Sequence, residues 1–198
     1  MRNCLFIIFL LTILPMVSCG DSKKQKDDSA MGTEDFHNVS IDGNYQIDIP
    51  KFMTGTTGLN EEASLQFQSL LQEAYLLIID EPKSEFEEVY RGLEQYDDEL
   101  SVLQNYRDAR LQILSRTTQM NRKSTPIPTR INGLDAETLQ IDANIKGIDN
   151  EISYFITFIE GDHNVYMIMA WTLKGKKLAH QNTFNRIAKS FEMISEPY

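Results

Sequence analysis

Histidine, cysteine and tryptophan are scarce in this 198-residue chain, which has three, two and one of them respectively. The histidines, His37, His163 and His180, are dispersed, and none falls in His-Glu-x-x-His spacing. A zinc centre of the familiar kinds is therefore not written into the sequence, and no metal site is expected. Cys4 and Cys19 are too few for a disulfide framework. The nucleotide-binding glycine patterns are missing, as is the Gly-x-Ser-x-Gly elbow of many hydrolases. No cofactor and no catalytic residue can be nominated. Positive charge is also in deficit, with 19 Lys and Arg against 29 Asp and Glu, net −10 and pI about 4.8. Such a surface repels phosphate backbones and anionic headgroups, which argues against nucleic acid and against a polybasic membrane contact.

What is present begins with one apolar run, Leu5 to Leu14, preceded by Arg2 and closed by Pro15. At ten residues it falls well short of the roughly 20 that span a bilayer. Charge, length and position match a secretory leader over residues 1–18. The leader ends in Met16-Val17-Ser18-Cys19-Gly20, which resembles a lipobox, with methionine where leucine is usual. Removal of the leader takes Cys4 away and leaves Cys19 without an intramolecular partner. The resemblance implies a lipoprotein carrying a diacylglyceryl thioether and an N-acyl chain on Cys19. Several chains anchor stably where a single one is marginal.

Residues 19–38 are polar and without apolar periodicity, which predicts a solvated tether. Within it, Lys26-Asp27-Asp28 resembles the lysine-then-acid export signal of Bacteroidota-type surface lipoproteins. Asp28-Ser29-Ala30 resembles the O-glycosylation acceptor of the same bacteria, with Ser29 as the acceptor. Together these imply an outer-membrane, surface-facing address, with the periplasmic leaflet as the alternative.

The remainder, residues 39–198, has the apolar content of one folded domain. Tyr45 to Ile49 alternates like a half-buried strand; Ala63 to Gln68 and Ala74 to Ile79 read as a strand pair. Ser84-Glu85-Phe86-Glu87 and Ser101-Val102-Leu103-Gln104 have capping-box form. They predict two helices, one burying Phe86, Val89, Tyr90 and Leu93, the other Val102, Tyr106, Ala109 and Ile113. A meander follows around the Asn132-Gly133 turn, the strongest short hairpin signal. Its strands run Ile127–Ile131, Leu134–Asn144, Glu151–Ile159 and Val165–Thr172. A last helix presents Leu178, Phe184, Ile187, Ala188 and Phe191. The expected fold class is α+β, a central antiparallel sheet with helices packed on it. The opening Tyr45-Gln46-Ile47-Asp48-Ile49-Pro50, the central hairpin and the closing Phe184 to Phe191 resemble PsbP-like domains, the fold shared with Mog-type proteins. That family's members act mostly as accessory subunits, and its motifs bring no catalytic residue with them.

Three clusters remain. Glu94, Asp97, Asp98 and Glu99 offer oxygens to a cation, or simply flank a helix start. Asp142 to Gly147 opens like a calcium loop, but Lys146 and Ser153 stand where ligands are needed, so a hairpin is expected. Tyr154, Phe155, Phe158, Tyr166 and Trp171 form either a core or a ligand platform; their central strands favour a core, with Trp171 largely buried. The function expected is a non-enzymatic binding or accessory module of the bacterial envelope. It is tethered to the bilayer through Cys19, and its partner is an envelope protein or other envelope component. The alternatives are a carboxylate-dependent surface hydrolase, which requires two acids about 5–10 Å apart in a cleft, and a carrier of small apolar ligands, which requires a cavity.

Overall fold

The computed structural model describes residues 35–41 and 43–194. Cys19, Lys26, Asp27, Asp28 and Ser29 lie outside them. Eleven strands and three helices follow in the order β1 (Phe36–Ile41), β2 (Tyr45–Pro50), β3 (Thr54–Gly55), β4 (Leu65–Ser69), β5 (Ala74–Pro82), α1 (Lys83–Gly92), α2 (Val102–Thr117), β6 (Thr118–Lys123), β7 (Ile127–Ile131), β8 (Leu134–Ile145), β9 (Ile152–Glu160), β10 (Asn164–Leu173), α3 (Lys177–Lys189) and β11 (Glu192–Met193). Eight strands form one antiparallel sheet in the order β3-β4-β5-β10-β9-β8-β6, with β7 also paired to β8. A smaller sheet, β1-β2-β11, packs across it.

Each face of the large sheet has its own apolar core. On one face, Tyr45, Ile47 and Ile49 of β2 and Phe184, Ile187 and Phe191 from α3 and its end meet Phe155, Tyr166 and Ile168. On the other, Phe86 of α1 and Leu103 and Tyr106 of α2 meet Leu139, Ile156, Phe158 and Val165. Strand β9 is consequently buried from Ile152 to Ile159, as a strand covered on both faces must be. The paired apolar faces of Val165 to Thr172 place β10 between β5 and β9, as their pattern predicts.

Local chemistry explains the boundaries. Asn132 and Gly133 take φ of 48° and 87°, the left-handed pair that a tight hairpin turn needs. Ser101 accepts from the Gln104 amide at 3.2 Å while the Gln104 side chain accepts from the Ser101 amide at 3.1 Å, completing the capping box of α2.

Several expectations are corrected. Helix α1 starts at Lys83 with Pro82 as its N-cap, so Ser84 lies inside it and caps nothing. Only Phe86 of α1 is buried, with Tyr90 partly buried beside the same core; Val89 and Leu93 are exposed. Ile113 and Leu178 are exposed as well, while Leu111 is buried in place of Ile113. Strand β1 starts at Phe36, inside the stretch read as tether, because Phe36 and Val39 pack on the core of the small sheet. Strand β6 has one apolar residue, Met120, and carries no recognisable pattern. Tyr154, Phe155, Phe158, Tyr166 and Trp171 do not form one platform: Phe155 and Tyr166 face α3, while Tyr154, Phe158 and Trp171 face α2.

Candidate binding cleft

Helix α2 lies along the large sheet without closing over all of it. Beside its C-terminal half runs an open cleft of about 370 Å³, within the size range of small-ligand sites. The floor is Leu77 and Ile79 of β5, Tyr154 and Ile156 of β9, and Met167, Met169 and Trp171 of β10; Leu111, Ile113 and Leu114 of α2 form one wall. Period-two alternation produces the floor, since odd-numbered residues of β10 all point toward α2. Leu59 and Asn60, ahead of β4, Thr117 and Thr118, where α2 ends, and Ile145, at the end of β8, line the rim. The exposure of Ile113 is thus the exposure of a cleft wall.

Trp171 is half-buried at this face and not enclosed as expected. Its ring stacks on Tyr75, with centroids 5.3 Å apart and planes 11° apart, and tilts against Tyr154 at 6.2 Å. Tyr154 is only 4 % exposed, yet its hydroxyl has no hydrogen-bond partner among the described residues. Burial alone pushes its pKa up to about 12, so it stays a neutral donor and acceptor at the cleft surface. At one end of the cleft Arg110 bridges Glu62 at 2.9 Å and Glu81 at 2.8 Å, its guanidinium 5.2 Å from the centre of the Tyr106 ring. Both acids are committed to that arginine. No serine, cysteine or histidine is among the residues lining the cleft. The arrangement can hold an apolar body and offer it the Tyr154 hydroxyl beside a few polar groups of the rim.

The other clusters have structural partners. Asp97 accepts from the Glu99 amide, its own amide donates to Asn105, and Asp98 is bound by Arg91. These acids build the α1–α2 connection. Asp142, 2 % exposed on β8, accepts from Ser153 at 2.7 Å and Lys177 at 2.8 Å, with Lys174 at 3.9 Å. Burial pushes its carboxyl up, but the hydrogen bonds from Lys177 and Ser153 and the two lysine charges outweigh that and hold it below the usual range. The group fastens the start of α3 to the sheet, and Asp142 to Gly147 is the end of β8 and its turn. His37, His163 and His180 remain apart from any such cluster: among the described residues no group of three or more His, Cys, Asp or Glu is placed to hold a metal ion.

Truncating Trp171 to alanine removes the stack on Tyr75 and part of the cleft floor. The expected loss is about 1–3 kcal/mol, below the roughly 3–5 of a fully enclosed large aromatic. Denaturant melts measure it, and a loss above about 4 kcal/mol would make Trp171 an ordinary core residue.

No protein-family model matches the chain, and no curated protein matches it. Solved structures do. A cyanobacterial PsbP (CyanoP) from Synechocystis sp. PCC 6803 aligns with TM-score 0.53 at 13% identity, over 90% of this chain and 99% of that one. LpqN of Mycobacterium tuberculosis, described as involved in cell envelope biogenesis, aligns with TM-score 0.48 at 12% identity, over 81% and 91%. A Pseudomonas aeruginosa protein of unknown function, a putative regulator, gives TM-score 0.44 at 11% identity, over 82% and 99%. Identities this low speak to fold alone: the domain has the α+β, PsbP-like fold, an antiparallel sheet with helices packed on it.

Proposed function

We propose that this chain is a lipid-anchored envelope lipoprotein whose folded domain is a non-enzymatic binding module. The observation that carries the anchor is the short apolar leader ending at Met16-Val17-Ser18-Cys19-Gly20. Acyl chains on Cys19 hold the protein at the outer membrane, and Lys26-Asp27-Asp28 sends it to the cell surface. Among the described residues no helix is long and apolar enough to cross a membrane. Extended, the chain from Cys19 to Phe36 reaches at most about 60 Å, enough to hold the domain clear of headgroups. The binding role is supported by the cleft beside α2, whose lining is mostly apolar and whose one acid, Glu62, is paired with Arg110. The accessory role that the PsbP-like resemblance implies agrees with it.

Cell fractionation tests the reading with three forms of the protein. The parent should partition into detergent and be digested by protease added to intact cells. Cys19→Ala should appear in the soluble fraction or as an uncleaved precursor; normal processing with unchanged detergent partitioning contradicts the anchor. Alanines at Lys26, Asp27 and Asp28 should leave the protein membrane-bound but protected from external protease. Equal digestion of this variant and the parent would reduce the segment to a spacer.

A further inference from the structure

The cleft beside α2 has two properties that together specify an occupant. Its floor and wall are mostly aliphatic, thioether and aromatic side chains, Met167 and Met169 among them, unbranched groups that adapt to a flexible chain. Among its polar lining groups, Asn60, Glu62, Arg110, Thr117 and Thr118 lie with the hydroxyl of Tyr154, which has no hydrogen-bond partner among the described residues. That hydroxyl is not among the fully buried unpaired side-chain atoms, so solvent reaches it, and a ligand atom can take the place of the water it would otherwise bind. An arriving ligand atom that donates or accepts would satisfy it. The charge of the site restricts the ligand further. Glu62 and Glu81 share the single cation Arg110, so this end of the cleft is net negative in a protein of net charge −10. A carboxylate or phosphate headgroup would be repelled, and Arg110 is already held by two acids.

We infer that the cleft binds an uncharged single-chain amphiphile, its alkyl chain along Met167, Met169 and Leu114 and its hydroxyl or carbonyl oxygen on the Tyr154 hydroxyl. This deepens the reading of the domain as a binding module and is independent of the anchor, so the fractionation result stands whatever this test gives.

Trp171 is the only tryptophan of the chain and lines the cleft, so its fluorescence reports occupancy without labels. The described core runs from Phe36 to Phe191, so the chain from Gly20 to Tyr198 contains all of it and can be titrated free of detergent. The probes are monooctanoyl-, monodecanoyl- and monolauroylglycerol below their micelle concentrations, with laurate as the anionic partner of the last. The emission should change saturably at one equivalent. Affinity should rise about fourfold for each methylene buried until the cleft is full. Laurate should bind at least about tenfold more weakly than monolauroylglycerol. Tyr154→Phe keeps the ring and removes the hydroxyl; affinity should fall about three- to tenfold while thermal stability holds or rises. A residue important only for packing would instead lower stability. Leu114→Glu should abolish the change in a protein that still melts cooperatively. No saturable change with any monoacylglycerol, or a change that survives in Leu114→Glu, overturns the site. Laurate binding as tightly as its neutral partner overturns the assignment of the ligand.

Discussion

Phe86→Ala is expected to cost about 3–5 kcal/mol, the largest loss from any single truncation in α1. The reason is geometric. Phe86 is the one buried residue of that helix and is fully enclosed. Its ring meets Tyr106 edge-on at 5.3 Å and lies 4.6 Å from Tyr90, with Tyr96 at 6.2 Å. Removing it takes away the apolar area that docks α1 and the edge-to-face contact with α2 together. In a domain of this size each kcal/mol lowers the melting temperature by about 2–4 °C, so the change is read easily in a thermal melt. Amide exchange should locate the damage: α1 should lose protection before the sheet does. A loss under about 1.5 kcal/mol would mean that the polar contacts of α1, such as Lys83 with Glu160 at 3.3 Å, hold the helix instead.

Arg107→Met should be comparably damaging for a different reason. Arg107 of α2 reaches Glu137 of β8, and their side chains are only 13 % and 8 % exposed. Methionine restores most of the volume but leaves the Glu137 carboxylate shut away from water with no cation, which costs about 3–5 kcal/mol. The reciprocal change is milder. In Glu137→Leu the guanidinium keeps Asp108, at 2.8 Å and well exposed. The double variant Arg107→Met with Glu137→Leu should recover most of the loss, because replacing a buried pair by apolar groups is often near neutral. A double-mutant cycle from denaturant melts supplies all four values. Equal and small losses in both single variants, under about 1 kcal/mol each, would place the pair in effectively solvated surroundings.

These two residues also show how far the sequence could be read. Phe86 was legible because a helical pattern needs an apolar residue on its inner face, and the strands of the meander were legible from alternation and from Asn132-Gly133. The fold class followed from those alone. The helix surfaces were less legible. Val89, Leu93, Ile113 and Leu178 sit at apolar spacing yet are exposed, because spacing shows which residues share a stripe and not how much of that stripe the sheet reaches. Strand β6 was hidden because its residues, Thr118 to Lys123, are largely exposed and include a single apolar one, Met120; its place comes mainly from backbone pairing with β8, which leaves no mark on side-chain pattern. The cleft was half visible. Trp171 and Tyr154 stood out as aromatics on central strands, but pattern alone favoured a closed core. Whether α2 covers the end of that face is decided by the placement of Leu111 and Leu114 relative to β10, a long-range fact that no local window contains. The ion pairs of Arg107 and Arg110 join residues about 30 to 50 positions apart and were likewise out of reach.

The lipid anchor is tested most directly by the mass of the N-terminal peptide of the protein recovered from membranes. That peptide should begin at Cys19 and carry the added mass of a diacylglyceryl thioether and an N-acyl chain. A mature chain that begins at Cys19 or elsewhere with that cysteine unmodified would contradict the anchor.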